Sequence, residues 1–274
     1  MATLMERIKV ALWFLERPAL YPEFVRYTTS RIRQLGLDRE KEARDAVLAC
    51  ERMHVDPHTA LHAITRQSNL RSFPELFTRE LERANEVLLR APIKLHGAGN
   101  LDLIYHLAEH VGATRAIETG VSAGWSSLAF SLSLRNRAGS KLVSTDMPYP
   151  GSSKEAARYV GCVFPDELRF MWDRIDAPDR VALPKALSIL PEIDICHYDS
   201  DKSYDGRMWA YRLLWRALRP AGIFISDDVD DNLGFFHFCG EVHERPTIVR
   251  VEATKGFKYI GILTKPKWRP PENT

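Results

Sequence analysis

Cysteine is sparse in this sequence. Cys50, Cys162, Cys196 and Cys239 are scattered over 274 residues and none forms a CxxC pair. That spacing argues against a zinc site and against a disulfide framework, and it fits a reducing cytoplasm, the expected location. Long apolar runs are lacking too: none approaches the roughly 18 residues that a membrane span needs. The VALWFL stretch near the N-terminus lies between Lys9 and Glu16, with Pro18 beyond. It is expected to form an amphipathic helix packed on the body or on a second subunit, rather than a span or a cleaved leader. Charge of one sign is absent as well. Lys and Arg number 38 against 36 Asp and Glu, a net +2, so nothing marks a nucleic-acid binder. What is present is a 45% hydrophobic share, enough for one α/β domain with an appendage.

Roughly the first 95 residues read as helical. Leu37 to Met53 carries apolar Ala43, Ala46, Val47 and Leu48 at helical spacing, Pro57 opens a further helix, and Ser72 with Pro74 opens another to Leu89. No alternating strand pattern is evident there, so residues 1–95 are expected to be a helical cap or oligomerisation region. Residues 96–274 are expected to form the catalytic domain. From a helix at Leu101–Val111 onward, strands and helices alternate, which predicts a mostly parallel, doubly wound sheet. Strands are expected at Ala116–Ile117, Lys141–Asp146, Leu168–Trp172, Ile193–Asp199 and GIFISDD, with a helix over Arg207–Leu218. Two closing strands, Thr247–Val251 and Phe257–Leu263, have no long helix between them and predict an antiparallel finish. The proline-rich tail from Lys265 is expected to be loosely ordered.

The organising stretch is TRAIETGVSAGWSS, residues 114–127. A short strand ends at Glu118, Gly120 and Gly124 form a turn, and an apolar helix begins at Trp125. This is half of a nucleotide-binding βαβ unit. Gly120 can take φ > 0 and let a ligand lie against the backbone, and the free N–H groups of the following helix can face polar ligand atoms. A dinucleotide site wants G-x-G-x-x-G, whereas here only two glycines follow an acid that repels phosphate. Glu118 suits a cation instead, such as the amino group of a nucleoside that carries an amino acid. The next strand stops on Asp146, 26 residues past Gly120, where a carboxylate can accept both hydroxyls of a ribose. The loop that opens at Pro148, Pro150 and Gly151 and continues through Tyr159, Gly161, Phe164 and Pro165 is placed to cover a substrate.

Two further strands also end in acids: Asp199 and Asp201 after IDICHY, Asp227 and Asp228 after GIFIS. Ligands gather beyond the carboxyl ends of strands in open α/β sheets. Carboxylates crowded there repel one another unless a cation neutralises them, and oxygen ligands alone suit a hard divalent ion such as magnesium.

The glycine turn resembles motif I of the class I S-adenosylmethionine (SAM) methyltransferases. DSDKSYDG followed by a strand ending in SDD resembles the metal-dependent O-methyltransferases of the caffeoyl-CoA and catechol type. Asp199, Lys202 and the Asp227–Asp228 pair match that spacing. The departure is Asp228, where those enzymes have Asn; an Asp-Asp pair resembles the bacterial sugar O-methyltransferases of the macrocin and novobiocin type. The resemblance covers about Leu101 to Thr264. It implies a Rossmann-like, seven-stranded, mostly parallel sheet with an antiparallel last strand, and methyl transfer to a hydroxyl of a small molecule, a natural product or a sugar. It further implies that Glu118, Gly120, Ser122, Gly124, Ser126, Asp146 and Met147 hold SAM. Asp199, Asp227 and Asp228 would bind Mg²⁺ or another divalent cation, and Lys202, or else Asp201 or His197, would take the substrate proton. The expected partner is a small-molecule methyl acceptor, with a homo-oligomer formed through the N-terminal helices. The alternatives are a metal-independent N- or C-methyltransferase, a non-catalytic partner protein of the same fold, and a dehydrogenase, which the two-glycine turn disfavours.

Overall fold

The computed structural model describes residues 4–33, 39–92, 98–147, 156–253 and 256–267. Residues 148–155 of the expected substrate-covering loop, the expected domain boundary at residues 95 and 96, the first residues of the Leu37–Met53 helix and the tail beyond 267 lie outside them. Lys265 itself is tied down: its ammonium donates to the carbonyls of Trp215 at 2.7 Å and Leu218 at 2.5 Å. Among the described residues no helix is long and apolar enough to cross a membrane.

The chain begins with helices α1 (Leu4–Leu15), α2 (Tyr21–Arg33) and α3 (Arg39–Glu51). Next comes a two-residue strand, β1 (His54–Val55), then α4 (Pro57–Thr65), α5 (Phe73–Leu76) and α6 (Thr78–Arg90). The single helix expected over Phe73–Leu89 is thus two, broken at Phe77, whose φ of −133° is not helical. Ser72 and Glu75 form a reciprocal capping box that starts α5. The α/β part follows: α7 (Leu101–His110), β2 (Arg115–Thr119), α8 (Trp125–Leu134), β3 (Lys141–Asp146), β4 (Trp172–Asp176) and α9 (Asp179–Ile189). It ends with β5 (Ile193–Tyr198), α10 (Tyr204–Ala217), β6 (Leu218–Ser226), α11 (Gly234–Val242), β7 (Thr247–Glu252) and β8 (Phe257–Thr264).

The eight strands form one sheet in the order β1-β7-β8-β6-β5-β2-β3-β4. Only β8 runs antiparallel to its neighbours, β6 and β7. Six of the strands lie where expected and a seventh, β4, is displaced; the eighth, β1, comes from the N-terminal region and pairs in parallel with β7, so that region is not purely helical. Two sequence expectations need correcting. The strand expected at Leu168–Trp172 begins where it was expected to end, because residues 166–171 form a 3₁₀ turn. Helix α9 had no counterpart in the sequence reading, since Pro184 inside it reads as a breaker. Burial of Ala182, Leu183 and Ala186 against the sheet offsets the lost hydrogen bond.

Side-chain alternation sorts the strands onto two cores. Ala116, Leu142, Ile195, Ile223, Ile225, Ile260 and Ile262 face the side covered by α4, α7 and α8. Ile117, Val143, Cys196, Phe224 and Leu263 face α9, α10 and α11. Phe73, Phe77 and Ala84 of the N-terminal helices belong to the first of these cores.

At the amino edge of the sheet, Asp194 straps β2, β5 and β6 together. Its carboxylate accepts from the Thr114 and Arg115 N–H groups at 2.9 and 2.8 Å, and from the guanidinium groups of Arg115 and Arg219 at 3.0 and 2.6 Å. Burial alone would raise its pKa, but these donors hold it well below the usual carboxylate range. A depressed native pKa contributes stability that is complete above the unfolded value, near 3.8, and is lost as pH falls below it. Asp194→Asn is therefore expected to cost about 3 kcal/mol at pH 7 and much less near pH 2, as read from urea melts at the two pH values.

Candidate active site

The same alternation explains how the site is assembled. Glu118 shares a face with Ala116, Ser144 and Asp146 with Leu142, and His197 and Asp199 with Ile195; Asp227 follows Ile225. Acids on four neighbouring strands therefore converge on one face at the carboxyl edge of the sheet.

The glycine turn is set as much by chain packing as by ligand access. Gly120 has φ +79°, and a Cβ added there would lie 2.0 Å from the carbonyl oxygen of Asp199. Gly124, at φ +97°, lies against Gly161, with a virtual Cβ 2.9 Å from its Cα. Ser122 is exposed with φ +48°. Helix α8 starts at Gly124 without a side-chain cap, leaving N–H groups at its first turn for other partners. Asp146 Oδ2 accepts from the N–H groups of Val121 at 2.7 Å and Ser122 at 2.9 Å, which ties the end of β3 to the turn. Burial pushes its carboxyl pKa up against these hydrogen bonds. Met147 follows, half-buried. Beside this strand end a cavity of about 290 Å³ is lined by Arg169, Trp172, Arg174 and Asp176. Asp176 is the register partner of Asp146 and ion-pairs with Arg174 at 2.8 Å.

Glu118 departs from expectation. It is fully buried under α8, where its Oε1 accepts from Ser127 Oγ and, at 2.5 Å, from Ser144 Oγ. Trp172 Nε1 in turn donates to Ser144 Oγ at 2.6 Å. Burial raises the Glu118 pKa and the hydrogen bonds from Ser127, Ser144 and Ser126 oppose that rise. Enclosed this way, Glu118 joins α8, β3 and β4 through Oε1, while its Oε2 is buried without a hydrogen-bond partner. Ser126, expected to face the ligand, is half-buried within reach of Glu118. His197 sits beside Glu118 in the β2–β5 register and is 6% exposed, with an unpartnered Nδ1.

Asp199, Asp227 and Asp228 do come together. Each offers one carboxylate oxygen, and these lie within 4.8 Å of one another. Two oxygens at that separation can share an ion about 2.4 Å from each, so the donor set fits a hard divalent cation. Asp227 is 5% exposed and its Oδ1 has no hydrogen-bond partner, so a buried charged oxygen is left without one in this cluster. Asp228 adopts φ +50°, a left-handed conformation that Asp and Asn tolerate better than most residues. The buried Arg207 of α10 holds this corner, donating to the Asp228 carbonyl at 2.7 Å and pairing with Asp231 at 3.3 Å.

Lys202 and Asp201, both expected as bases, are placed for other work. The Lys202 ammonium donates to Asp199 and, at 2.8 Å, to Asp228. Burial disfavours its charge, but the carboxylates of Asp199, Asp228 and Asp227 outweigh that and push its pKa well above the ordinary value. It is a fixed cation of the cluster. Asp201 is exposed and accepts from the Ser203 N–H at 2.9 Å, turned toward the start of α10. Phe235 and Phe236 of α11 pack on the opposite side of the sheet.

One residue escaped the sequence reading. Lys258, near the start of β8, pairs with Asp227 at 2.6 Å. The signal lay in the antiparallel finish, since a reversed last strand begins at the carboxyl edge where the acids lie. Alternation then puts Lys258 on the same face as Ile260 and Ile262.

An open, mostly parallel sheet with one reversed strand, a glycine turn after β2 and an acid ending β3 define a class I methyltransferase fold, the fold that uses SAM. Residues 117–229 match a family model described as a methyltransferase domain. A putative O-methyltransferase from Klebsiella pneumoniae superposes with a TM-score of 0.56 at 18% identity, over 70% of this chain and 94% of that one. An O-methyltransferase from Bacillus cereus in complex with SAH gives 0.54 at 15%, over 70% and 94%. TomG of Streptomyces achromogenes, an O-methyltransferase of tomaymycin synthesis in complex with SAM, gives 0.51 at 17%, over 71% and 94%. At these identities the likeness is one of fold. Comparison with curated protein sequences finds no match.

Proposed function

We propose that this chain transfers the methyl group of SAM to a hydroxyl of a small molecule, a natural product or a sugar, with a divalent cation held by Asp199, Asp227 and Asp228. The observation that carries this reading is the convergence of three carboxylate oxygens within 4.8 Å at the strand ends, next to the glycine turn. The O-methyltransferase names of the structural relatives agree with it.

When bound, a divalent ion at such a site holds an acceptor oxygen and lowers the pKa of its hydroxyl. The chain's own residues do the rest. Asp146, Ser122 and the first turn of α8 present the polar groups that position the nucleoside and amino-acid ends of SAM. Lys202 stays charged and keeps Asp199 and Asp228 pointed inward, so the proton of the acceptor hydroxyl passes to solvent water as SAH is formed. Arg207 fixes the backbone of Asp228 in its left-handed turn. Alignment of the acceptor oxygen with the methyl group then supplies much of the rate.

A second reading, metal-independent transfer, is favoured by one observation: Lys202 and Lys258 already place two ammonium groups among the three acids. Chelation separates the two. Treatment with EDTA is expected to abolish methyl transfer to a hydroxylated acceptor panel, and added Mg²⁺ to restore it; activity that survives EDTA unchanged would establish the metal-independent reading.

A further inference from the structure

The three acids are met by two cations of different standing. Lys202 is part of the helix-start sequence and bridges Asp199 and Asp228. Lys258 arrives from the far end of the chain, on the only reversed strand, and touches Asp227 alone among the three. Its side chain is 25% exposed while that of Asp227 is 7% exposed, so the ammonium sits at the mouth of the cluster with the carboxylate behind it. Asp227 Oδ2 is taken by Lys258, whereas Oδ1 is buried without a partner. The loop leading out of the cluster is stitched to the same strand, with Val229 N–H donating to the Tyr259 carbonyl at 3.0 Å, so the root of Lys258 is fixed relative to Asp227. Beyond the ammonium lies Gly99, whose virtual Cβ is 4.0 Å from Nζ, in the segment that enters α7.

We propose that Lys258 is a tethered counter-cation on the Asp227 carboxylate of the cation site, so that a divalent ion binds there against the repulsion of the Lys258 ammonium. This rests on the divalent-ion reading of the cluster given above. A dication on the same carboxylate lies within about 5 Å of Nζ, and at that range in a half-buried site like charges repel strongly. The ammonium therefore competes with the ion for Asp227. In the ion-free protein it does the opposite, sparing Asp227 the penalty of a buried, unpaired charge. Lys258 thereby sets the concentration at which the cation site fills, without itself being a ligand.

The test is Mn²⁺ binding, followed by the electron paramagnetic resonance signal of the free ion in the presence of SAM, for the full chain and for Lys258→Met, Lys258→Gln and Lys258→Arg. Removing the charge is expected to tighten Mn²⁺ binding by roughly tenfold or more, while Lys258→Arg, which keeps it, stays close to the parent. Thermal melts supply an independent readout. Without Mn²⁺ the Met and Gln variants are expected to melt lower than the parent, and with Mn²⁺ to gain more. Gln, which can still donate to Asp227, keeps the comparison available if the Met variant does not fold. Binding by the Met or Gln variant where the parent shows none supports the inference. If parent and neutral variants bind Mn²⁺ equally, or the variants bind it more weakly, the inference fails and the divalent-ion reading stands. If none of the four proteins binds Mn²⁺, both fail.

Discussion

Asp199→Ala is expected to lower kcat/KM by about 10²- to 10⁴-fold, because one side chain serves two purposes in this cluster. Its carboxylate supplies one of the three convergent oxygens and is also one of the two partners of Lys202. Without it two convergent carboxylate oxygens remain, and Lys202 is left to Asp228 alone. The backbone should hold, since the Asp199 N–H donates to the Thr119 carbonyl at 3.0 Å whatever the side chain. The measurement is steady-state kinetics with saturating SAM, alongside a thermal melt to confirm folding. A variant that keeps its melting temperature and loses less than about threefold in kcat/KM would remove Asp199 from the reaction.

Gly120→Ala is expected to have the largest effect on stability, about 3–5 kcal/mol, or some 6–15 °C in melting temperature. Two costs add. A side chain at φ +79° carries a left-handed penalty of roughly 1–2 kcal/mol. The new Cβ would also sit 2.0 Å from the Asp199 carbonyl oxygen and 2.8 Å from its carbon, both backbone atoms that cannot rotate away. Gly139→Ala is the control, because it has a similar φ of +72° with nothing within 4 Å and carries only the first cost. If the two variants melt together, the close approach of β2 to the end of β5 does not matter to stability. If Gly120→Ala melts lower and also binds SAM poorly, the turn and the acid cluster are mechanically joined.

Much of the architecture was legible because it depends on local pattern. The strands ending at Asp146 and Tyr198 were found within a residue, since buried parallel strands are short apolar runs with polar stops. What escaped depended on partners distant in sequence. β1 is too short to show alternation and exists because β7 offers it an edge. Helix α9 survives Pro184 because its apolar face is buried. In the site, residue types and spacings exposed the three acids, but not the side chains that pair with them. Lys202 as a base needs a lowered pKa, and its direction was set by which carboxylates folded around it. Glu118 looked like an anion awaiting a cation until α8 and β3 enclosed it with serines.

By itself the sequence determined most of the strand and helix order from α7 onward, the glycine turn and the presence of acids at four strand ends, because periodicity and turn chemistry act over a few residues. Only the tertiary structure decided which acids share a point in space, which are buried, and that a lysine 31 residues beyond Asp227 lies on its carboxylate. Charge and protonation depend on distances across strands, and the antiparallel return of β8 is what makes that last distance 2.6 Å.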